Sequence, residues 1–460
     1  ASPREGCGPA MIGYLRRLII RNLCSPYGIA MASYFLFLLA WVFPPGIYTH
    51  YIHELDLMYL NPMVLLYYTA CVAAFLFGVR GIDFFVRAAA HSTPKIQLRY
   101  TSPLMYLALP LALAGALCFV YMLLIGSGLN FIALIATRQG DVMKQANTGG
   151  SSSAMWGSTL FLLTGVLWWA GFRASQLHLR GIARKAFYFI FAACLGVDVF
   201  TCLATFDRTN LMPLLAGCTI IYLFLKSRSG DLKLTRLAVT GFGFVFAIFA
   251  SFIGLQFARG ASRLDALLSS MLGYTVVSYN RMAAMIAGAM HYAYEGKGAY
   301  VVAFLLQNDR LSGVRDQMGL PAAYGLWLSE FPSLSAAGLN ANYNWSSVFG
   351  YLFSDLGWWT PVYMFAAGLL AGYLWSRFRS GTTIGIVLYP WIAFWILFWF
   401  GWNLLFEARS VVLIETSVLL VTYDKLFLRW MRGSPSANVL PRSSWEPARP
   451  VAIPHRGGLF

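Results

Sequence analysis

The sequence predicts an all-α, polytopic membrane protein of about ten transmembrane helices, with twelve tolerated, and one large segment on the outer side. Three observations predict it. Of 460 residues, 58% are hydrophobic and only 11% charged, against about 25% charged in an ordinary soluble chain. Mean hydropathy is +0.62. Apolar runs of about 20 residues, enough to cross ~30 Å of hydrocarbon as helices, recur along the whole length. Backbone groups in lipid must bond internally, so such runs read as helices.

The runs are 27–46, 62–80, 102–125, 154–171, 186–205, 209–226, 237–257, 357–376, 382–402 and 411–428. Basic residues sit in every second connection: Arg16, Arg17 and Arg21 before the first run, then Arg80, Arg87, Lys95 and Arg99. The pattern continues with Arg173, Arg180 and Arg184, with Lys226, Arg228 and Lys233, with Arg377 and Arg379, and with Arg429 and Arg432. Connections rich in Lys and Arg stay cytoplasmic, so both ends lie inside. The first outer loop, with His50, His53, Glu54 and Asp56, has no Lys or Arg. The net charge of +16 reflects this bias and the basic tail, not a nucleic-acid surface.

The chain thus divides into a cytoplasmic N-terminus (1–26), a seven-helix membrane region (27–257), an outer segment (258–356), C-terminal membrane helices (357–428) and a disordered cytoplasmic tail (429–460). Met11 reads as the natural start, with residues 1–10 an added or misassigned leader. The first run is too long for a secretory signal and lacks a small-residue cleavage site. Of seven cysteines, Cys71, Cys118, Cys194, Cys202 and Cys218 fall inside spans, while Cys7 and Cys24 lie near the N-terminus. With no CxxC or Cys/His spacing, they read as small packing residues rather than a disulfide framework or zinc site.

Residues 264–292 are helix-forming and largely apolar, interrupted by Asp265, Ser278, Asn280 and Arg281. An outer amphipathic helix, a re-entrant pair and an eleventh span all fit, the last needing 341–356 as a returning partner. Residues 293–340, with Glu295, Lys297, Asp309, Arg310, Arg315, Asp316 and Glu330, read as a folded cap. Long segments between rigid elements are disproportionately functional.

Arginines concentrate on this outer side, where orientation does not require them. Arg208 follows Asp207 in a tight connection; Arg259 and Arg263 lie where the seventh run ends; Arg281 lies in Tyr279-Asn280-Arg281; Arg409 follows Glu407 between the last two runs. Interfacial snorkelling or local ion pairing accounts for any one of them; four separate stretches converging on one face point to an anion site. Guanidinium offers a rigid donor fork matched to phosphate oxygens and keeps its charge when desolvated. A diphosphate with its lipid tail among the helices fits this geometry. Trp391, Trp395, Trp399 and Trp402 share a helical face by spacing, suited to core packing, an interfacial belt or sugar stacking.

The Asp207-Arg208-Thr209 turn, Arg259-Gly260, Tyr279-Asn280-Arg281, Asn344-Trp345-Ser346 through Asp355-Leu356-Gly357, and Glu407-Ala408-Arg409 resemble motifs of bacterial oligosaccharide repeat-unit polymerases, the Wzy group. The resemblance covers about residues 200–425 and rests on order, spacing and loop size. It implies a membrane-embedded glycosyltransferase of the GT-C type at the periplasmic face of the bacterial inner membrane. Such an enzyme joins undecaprenyl-diphosphate-linked oligosaccharides without metal or cofactor. Arg208, Arg281 and Arg409 would stabilise the diphosphate leaving group, with Arg259 and Arg263 behind them. Asp207, Glu407, Asp355 and His291 are the candidates for a base on the acceptor hydroxyl.

A polysaccharide co-polymerase that regulates chain length is the partner this resemblance implies, beside the lipid bilayer. No acidic pair with cation-ligand spacing lies near the arginines, and no phosphate loop of the GxxxxGK[ST] kind occurs, so nucleotide-sugar chemistry is unsupported. A glycan ligase of the same architecture would use the same arginines. A flippase would need charge along the bilayer midplane, where only Asp198 and Glu415 lie well inside spans.

Overall fold

A computed structural model describes residues 22–54, 58–89, 107–126, 151–175, 181–204, 208–228, 239–243, 264–308 and 311–433, with residues 235 and 250 between them. The described residues are helical wherever they are regular, and none forms a strand. The architecture is all-α.

Helix α1 (Pro26–Trp41) opens on Ser25, whose side-chain oxygen accepts from the Gly28 amide at 3.3 Å, and on Pro26, whose missing N–H costs nothing at a first helical position. Pro44 and Pro45 cannot continue it, and α2 (Pro45–Ile52) leaves at 88°. The first apolar run is therefore a bent pair, not the single straight helix expected over 27–46. Then come α3 (Pro62–Ala89), about 42 Å long at 1.5 Å per residue, α4 (Ala108–Gly126), α5 (Ser151–Ala174), α6 (Gly181–Ala204) and α7 (Arg208–Arg228). The outer segment holds α8 (Leu264–Tyr274), α9 (Val276–Ile286), α10 (Ala303–Gln307), α11 (Ser312–Gln317), α12 (Ala323–Ala336) and α13 (Ser347–Leu356). Helices α14 (Thr360–Arg379), α15 (Thr383–Leu397) and α16 (Ala408–Gly433) follow.

Nine of the ten apolar runs coincide with these helices. The tenth, 237–257, lies outside the described residues apart from 239–243 and 250, as do 1–21 and 434–460. The last helix extends to Gly433, past the expected end at 428. By length and composition, Pro62–Ile82 is able to cross a membrane alone, and α1 with α2 qualifies if the bent pair is one span. Among the described residues that makes one or two spanning helices, against ten expected. Charge is one reason in α16, which carries Glu415, Asp424 and Lys425.

The most extensive packing is between α3 and α14. Gly368-Leu369-Leu370-Ala371-Gly372 is a small-xxx-small motif that lets backbones touch. A Cβ on Gly368 would stand 2.1 Å from the Phe75 carbonyl oxygen, and one on Gly78 would stand 2.1 Å from that of Phe365. Helix α5 packs on α4, α7, α15 and α16, burying Trp168 and Trp169 completely. At one end of these helices Arg173 donates to Thr383 at 3.1 Å and lies 3.8 Å from Asp424, tying α5, α15 and α16 together. Trp391, Trp395 and Trp399 are core residues, at most 2% exposed. Trp391 donates to Ser410 and Trp395 to Asn403. The helix ends at Leu397, so Trp399 and Trp402 do not continue the helical face the spacing implied; packing is the reading realised for Trp391, Trp395 and Trp399.

Residues 264–292 form neither one long helix nor a straight span. They break at Thr275 into two helices of 11 residues each, about 16 Å apiece. Every residue from Val276 to Met285 is buried, because α9 packs between α1 and α13. The outer segment has its own smaller core, in which Tyr292, Tyr300 and Tyr351 pack with Leu306, Leu326 and Leu334.

Gly368→Leu is expected to destabilise the α3–α14 crossing by ~1–3 kcal/mol or more through overpacking. Gly46→Ala, where nothing lies within reach of an added Cβ, should be near neutral. Thermal unfolding in detergent checks both.

Candidate functional site

The α1–α2 bend decides the position of one carboxylate. Helix α2 ends at His53, in the left-handed region at φ 60°, with its amide donating to the Thr49 carbonyl. This reversal turns Glu54 inward, where it is 2% exposed. Arg281 on α9 meets it there, fully buried. The guanidinium forms a two-pronged pair with Glu54, Nη1 donating to Oε2 at 3.0 Å and Nη2 to Oε1. Its remaining donors reach the Tyr343 carbonyl at 3.3 Å, the Asn340 carbonyl at 3.1 Å and the Tyr48 hydroxyl at 3.4 Å. Glu54 also accepts from the Asn340 amide at 2.7 Å and from the Tyr48 hydroxyl. Burial works against the Arg281 charge, but Glu54 and Tyr48 outweigh it and hold its pKa above the ordinary arginine value.

All five guanidinium donors of Arg281 are thus used by the chain itself. The sequence reading placed Arg281 on a substrate diphosphate; the structure places it on Glu54, and its role here is to fasten 340–343 to α2 and α9.

The connection 340–346 is held from its other side too. Asn344 donates to Glu330 Oε2 at 2.9 Å, while its carbonyl accepts from the hydroxyls of Tyr292 and Tyr351, each at 3.2 Å. Glu330, fully buried on α12, also accepts from the Tyr300 hydroxyl at 3.4 Å. Burial drives its pKa well above the carboxylate range, against the pull of Asn344 and Tyr300. Asp355, at the end of α13, accepts from the amides of Gly298, Tyr300 and Val301 at 3.1, 2.6 and 3.0 Å. Its pKa is pushed up to about 6 because burial outweighs those amide bonds.

The last connection before α16 brings Glu407 and Arg409 together. Arg409 Nε lies 3.2 Å from Glu407 Oε1, with the arginine side chain 21% exposed and the glutamate 3%. The guanidinium sits over the Phe161 ring, 5.4 Å from its centroid. Gln307 accepts from the Ala408 amide at 2.6 Å, capping α16 from the outer segment. Asn403 donates to the Tyr300 carbonyl at 3.0 Å, and the Phe304 amide donates to the Phe406 carbonyl at 2.7 Å. Asp355 and the Glu407–Arg409 turn therefore grip the same stretch, 298–307.

Of the other expected residues, Arg208 is described as the first residue of α7. Asp207, Arg259 and Arg263 lie outside the described residues. His291 is exposed and pairs with Glu295 at 2.8 Å, separate from the buried networks. Among the described residues, no group of three His, Cys, Asp or Glu side chains is placed to hold a metal ion. Glu54, Tyr48, Asn340 and Glu330 were not singled out as site residues. The available signal for Glu54 was its loop, which carries carboxylates and no Lys or Arg opposite a surplus of arginine. No known protein family, curated protein or solved structure matches the chain.

Removing one partner of a buried ion pair strands the other, so Glu54→Gln or Arg281→Met alone should each cost ~3–5 kcal/mol, and the double variant much less than their sum. Thermal unfolding of the four proteins measures the coupling. For Asp355 the folded pKa is raised, so its contribution to stability is full below about pH 4 and falls as pH rises to about 6. Asp355→Asn should flatten that part of a stability–pH profile.

Proposed function

We propose that this chain is a multi-pass membrane glycosyltransferase of the GT-C type, with about ten spans and both termini cytoplasmic. It polymerises lipid-diphosphate-linked oligosaccharide repeat units at the outer, periplasmic face of the inner membrane. The coincidence of nine apolar runs with helices supports the span count, and the alternation of basic connections supports the orientation.

The observation that carries the reading is the placement of Arg208 and Arg409. Arg208 is the first residue of α7 and Arg409 the second of α16. A helix N-terminus already carries partial positive charge, so a cation there is unfavourable unless an anion is close. Glu407 supplies one negative group beside Arg409. A diphosphate head group would supply the anion that such a helix head calls for.

In the proposed reaction, the growing glycan on undecaprenyl diphosphate is the donor and a single lipid-linked unit is the acceptor. The bond from the anomeric carbon to the diphosphate oxygen breaks, and its electron pair leaves with the diphosphate. A bond from the acceptor hydroxyl oxygen to that carbon forms, and the hydroxyl proton passes to a carboxylate. Arg208 and Arg409 stabilise the charge that grows on the leaving group, with Arg259 and Arg263 as further contacts. Arg281 takes a positioning role through Glu54 and 340–343. Among the candidate bases, Glu407 adjoins a partly exposed arginine, whereas Asp355 is occupied by three backbone amides. Asp207 remains a candidate beside Arg208. A chain-length regulator of the co-polymerase type is the proposed partner.

Arg208→Ala and Arg409→Ala should each reduce polymer formation by on the order of 10²–10³-fold, with protein level and membrane insertion intact. Normal polymer from both, at normal expression, would sink the arginine site. Deleting the gene and sizing surface and lipid-linked glycan tests the reaction class. Single repeat units on the surface mean a polymerase; long chains held on the carrier mean a ligase; units trapped inside mean a flippase.

A further inference from the structure

We propose that Glu330 is a proton-operated latch of the outer segment: protonated, it locks α12 and the Asn344 edge of the 340–346 connection onto the tyrosine cluster, and loss of the proton releases both. The inference does not depend on the transferase reading.

The geometry is specific. Helix α12 turns Leu326, Glu330 and Leu334 inward, all 0% exposed, so the carboxyl sits mid-way along a buried apolar stripe. The groups facing it come from three other stretches: Tyr292 and Tyr300 from 292–300, Asn344 from the connection, and Tyr351 from α13. Helix α10, which also touches α12, contributes no titratable side chain.

The charged groups that act on this tyrosine cluster, Arg281 and Asp355, are already committed. Asp355 is bound to the 298–301 amides, and Arg281 to Glu54. The bonds that reach the Glu330 carboxyl therefore come from a tyrosine hydroxyl and an amide side chain, with no guanidinium or ammonium among them. A carboxylate in such a place is strongly disfavoured, whereas a neutral carboxyl is not. The raised pKa of Glu330 agrees, and the three tyrosines are themselves pushed well above the ordinary phenol range by burial, so they stay neutral while Glu330 titrates.

The linkage sign follows. The unfolded or opened segment ionises near the ordinary glutamate value of about 4.3, while the closed segment keeps the proton. Closure is favoured at low pH and weakens as pH rises toward the closed-state pKa. Opening withdraws Glu330 from Asn344, the residue whose carbonyl anchors Tyr292 and Tyr351. It thereby frees the Asn344 edge of the connection, while Asn340 and Tyr343 stay bonded to Glu54 and Arg281.

Amide hydrogen exchange on the full-length protein in detergent, from about pH 7 to about pH 10 and corrected for the intrinsic rate, tests the latch. Asp355 is already ionised across that range and adds no slope. Protection of residues 323–339 and 344–346 should fall with rising pH, up to about tenfold per pH unit for one released proton. Amides of α14 should not follow. Glu330→Gln should leave 323–339 and 344–346 protected throughout. A Glu330→Gln profile that tracks the wild type, or a flat wild-type profile, would overturn the proposal. Should Glu330→Gln fail to fold, Tyr300→Phe removes a donor to the carboxylate, raises the closed-state pKa further and should extend the fall in protection to higher pH. An unmoved profile would also overturn it.

Discussion

The buried pair between Glu54 and Arg281 is the constraint on which the arrangement of α2, α9 and 340–343 depends. Taking two charges out of water costs several kcal/mol each, and attraction between them offsets this only if every donor and acceptor is satisfied. Here the condition is met by residues from far apart in the chain. Glu54 and Arg281 are separated by 227 positions, and Glu54 and Asn340 by 286. Any displacement of α2, α9 or 340–343 leaves part of a buried charge unbonded, so the three move together or not at all. Asn280 extends the same lock, accepting from the Tyr59 amide at 2.7 Å and donating to Tyr48 at 2.9 Å.

A second constraint is dry and steric. The glycines of α3 and α14 bring two backbones into contact, and α14 in turn packs on α15, which reaches α5 and α7. The frame and the outer segment then meet through a few directed bonds. Gln307 caps α16, Asn403 reaches the Tyr300 carbonyl, and the Val348 amide donates to the Trp399 carbonyl at 3.0 Å. The Glu407–Arg409 turn hangs on those bonds. Its geometry is therefore set by the outer segment as much as by the helix it begins.

Hydropathy made the helices legible, because burying apolar side chains along about 20 residues leaves a local record in the chain. The Pro44-Pro45 step recorded the end of α1 equally locally, although the apolar run passed through it. The Glu407–Arg409 contact was visible as two residues apart in sequence. The partner of Arg281 was not, since a bond across 227 positions has no periodicity and no spacing. An outer arginine surplus reads the same whether each guanidinium meets a ligand or a carboxylate of its own chain. The tryptophans show the same ambiguity: spacing placed Trp391, Trp395 and Trp399 together, but only the fold says that Trp391 and Trp395 of α15, and Trp399 just beyond it, are interior. Glu330 was hidden for a further reason, because charged residues in a long loop are by default solvated.

The connection 340–346 lies between two buried carboxyls that are neutralised by different means. Glu54 is balanced by a guanidinium that stays charged at any pH the protein meets. Glu330 meets neutral donors only, so the proton itself is the balancing charge. One flank of the connection is thereby permanent and the other conditional. A segment held this way has a fixed pivot at Asn340–Tyr343 and a releasable edge at Asn344, and its motion, when it moves, is directed away from α12 rather than away from α9. The permanence of the first pair is what would let a change at the second remain local instead of unfolding the outer segment as a whole.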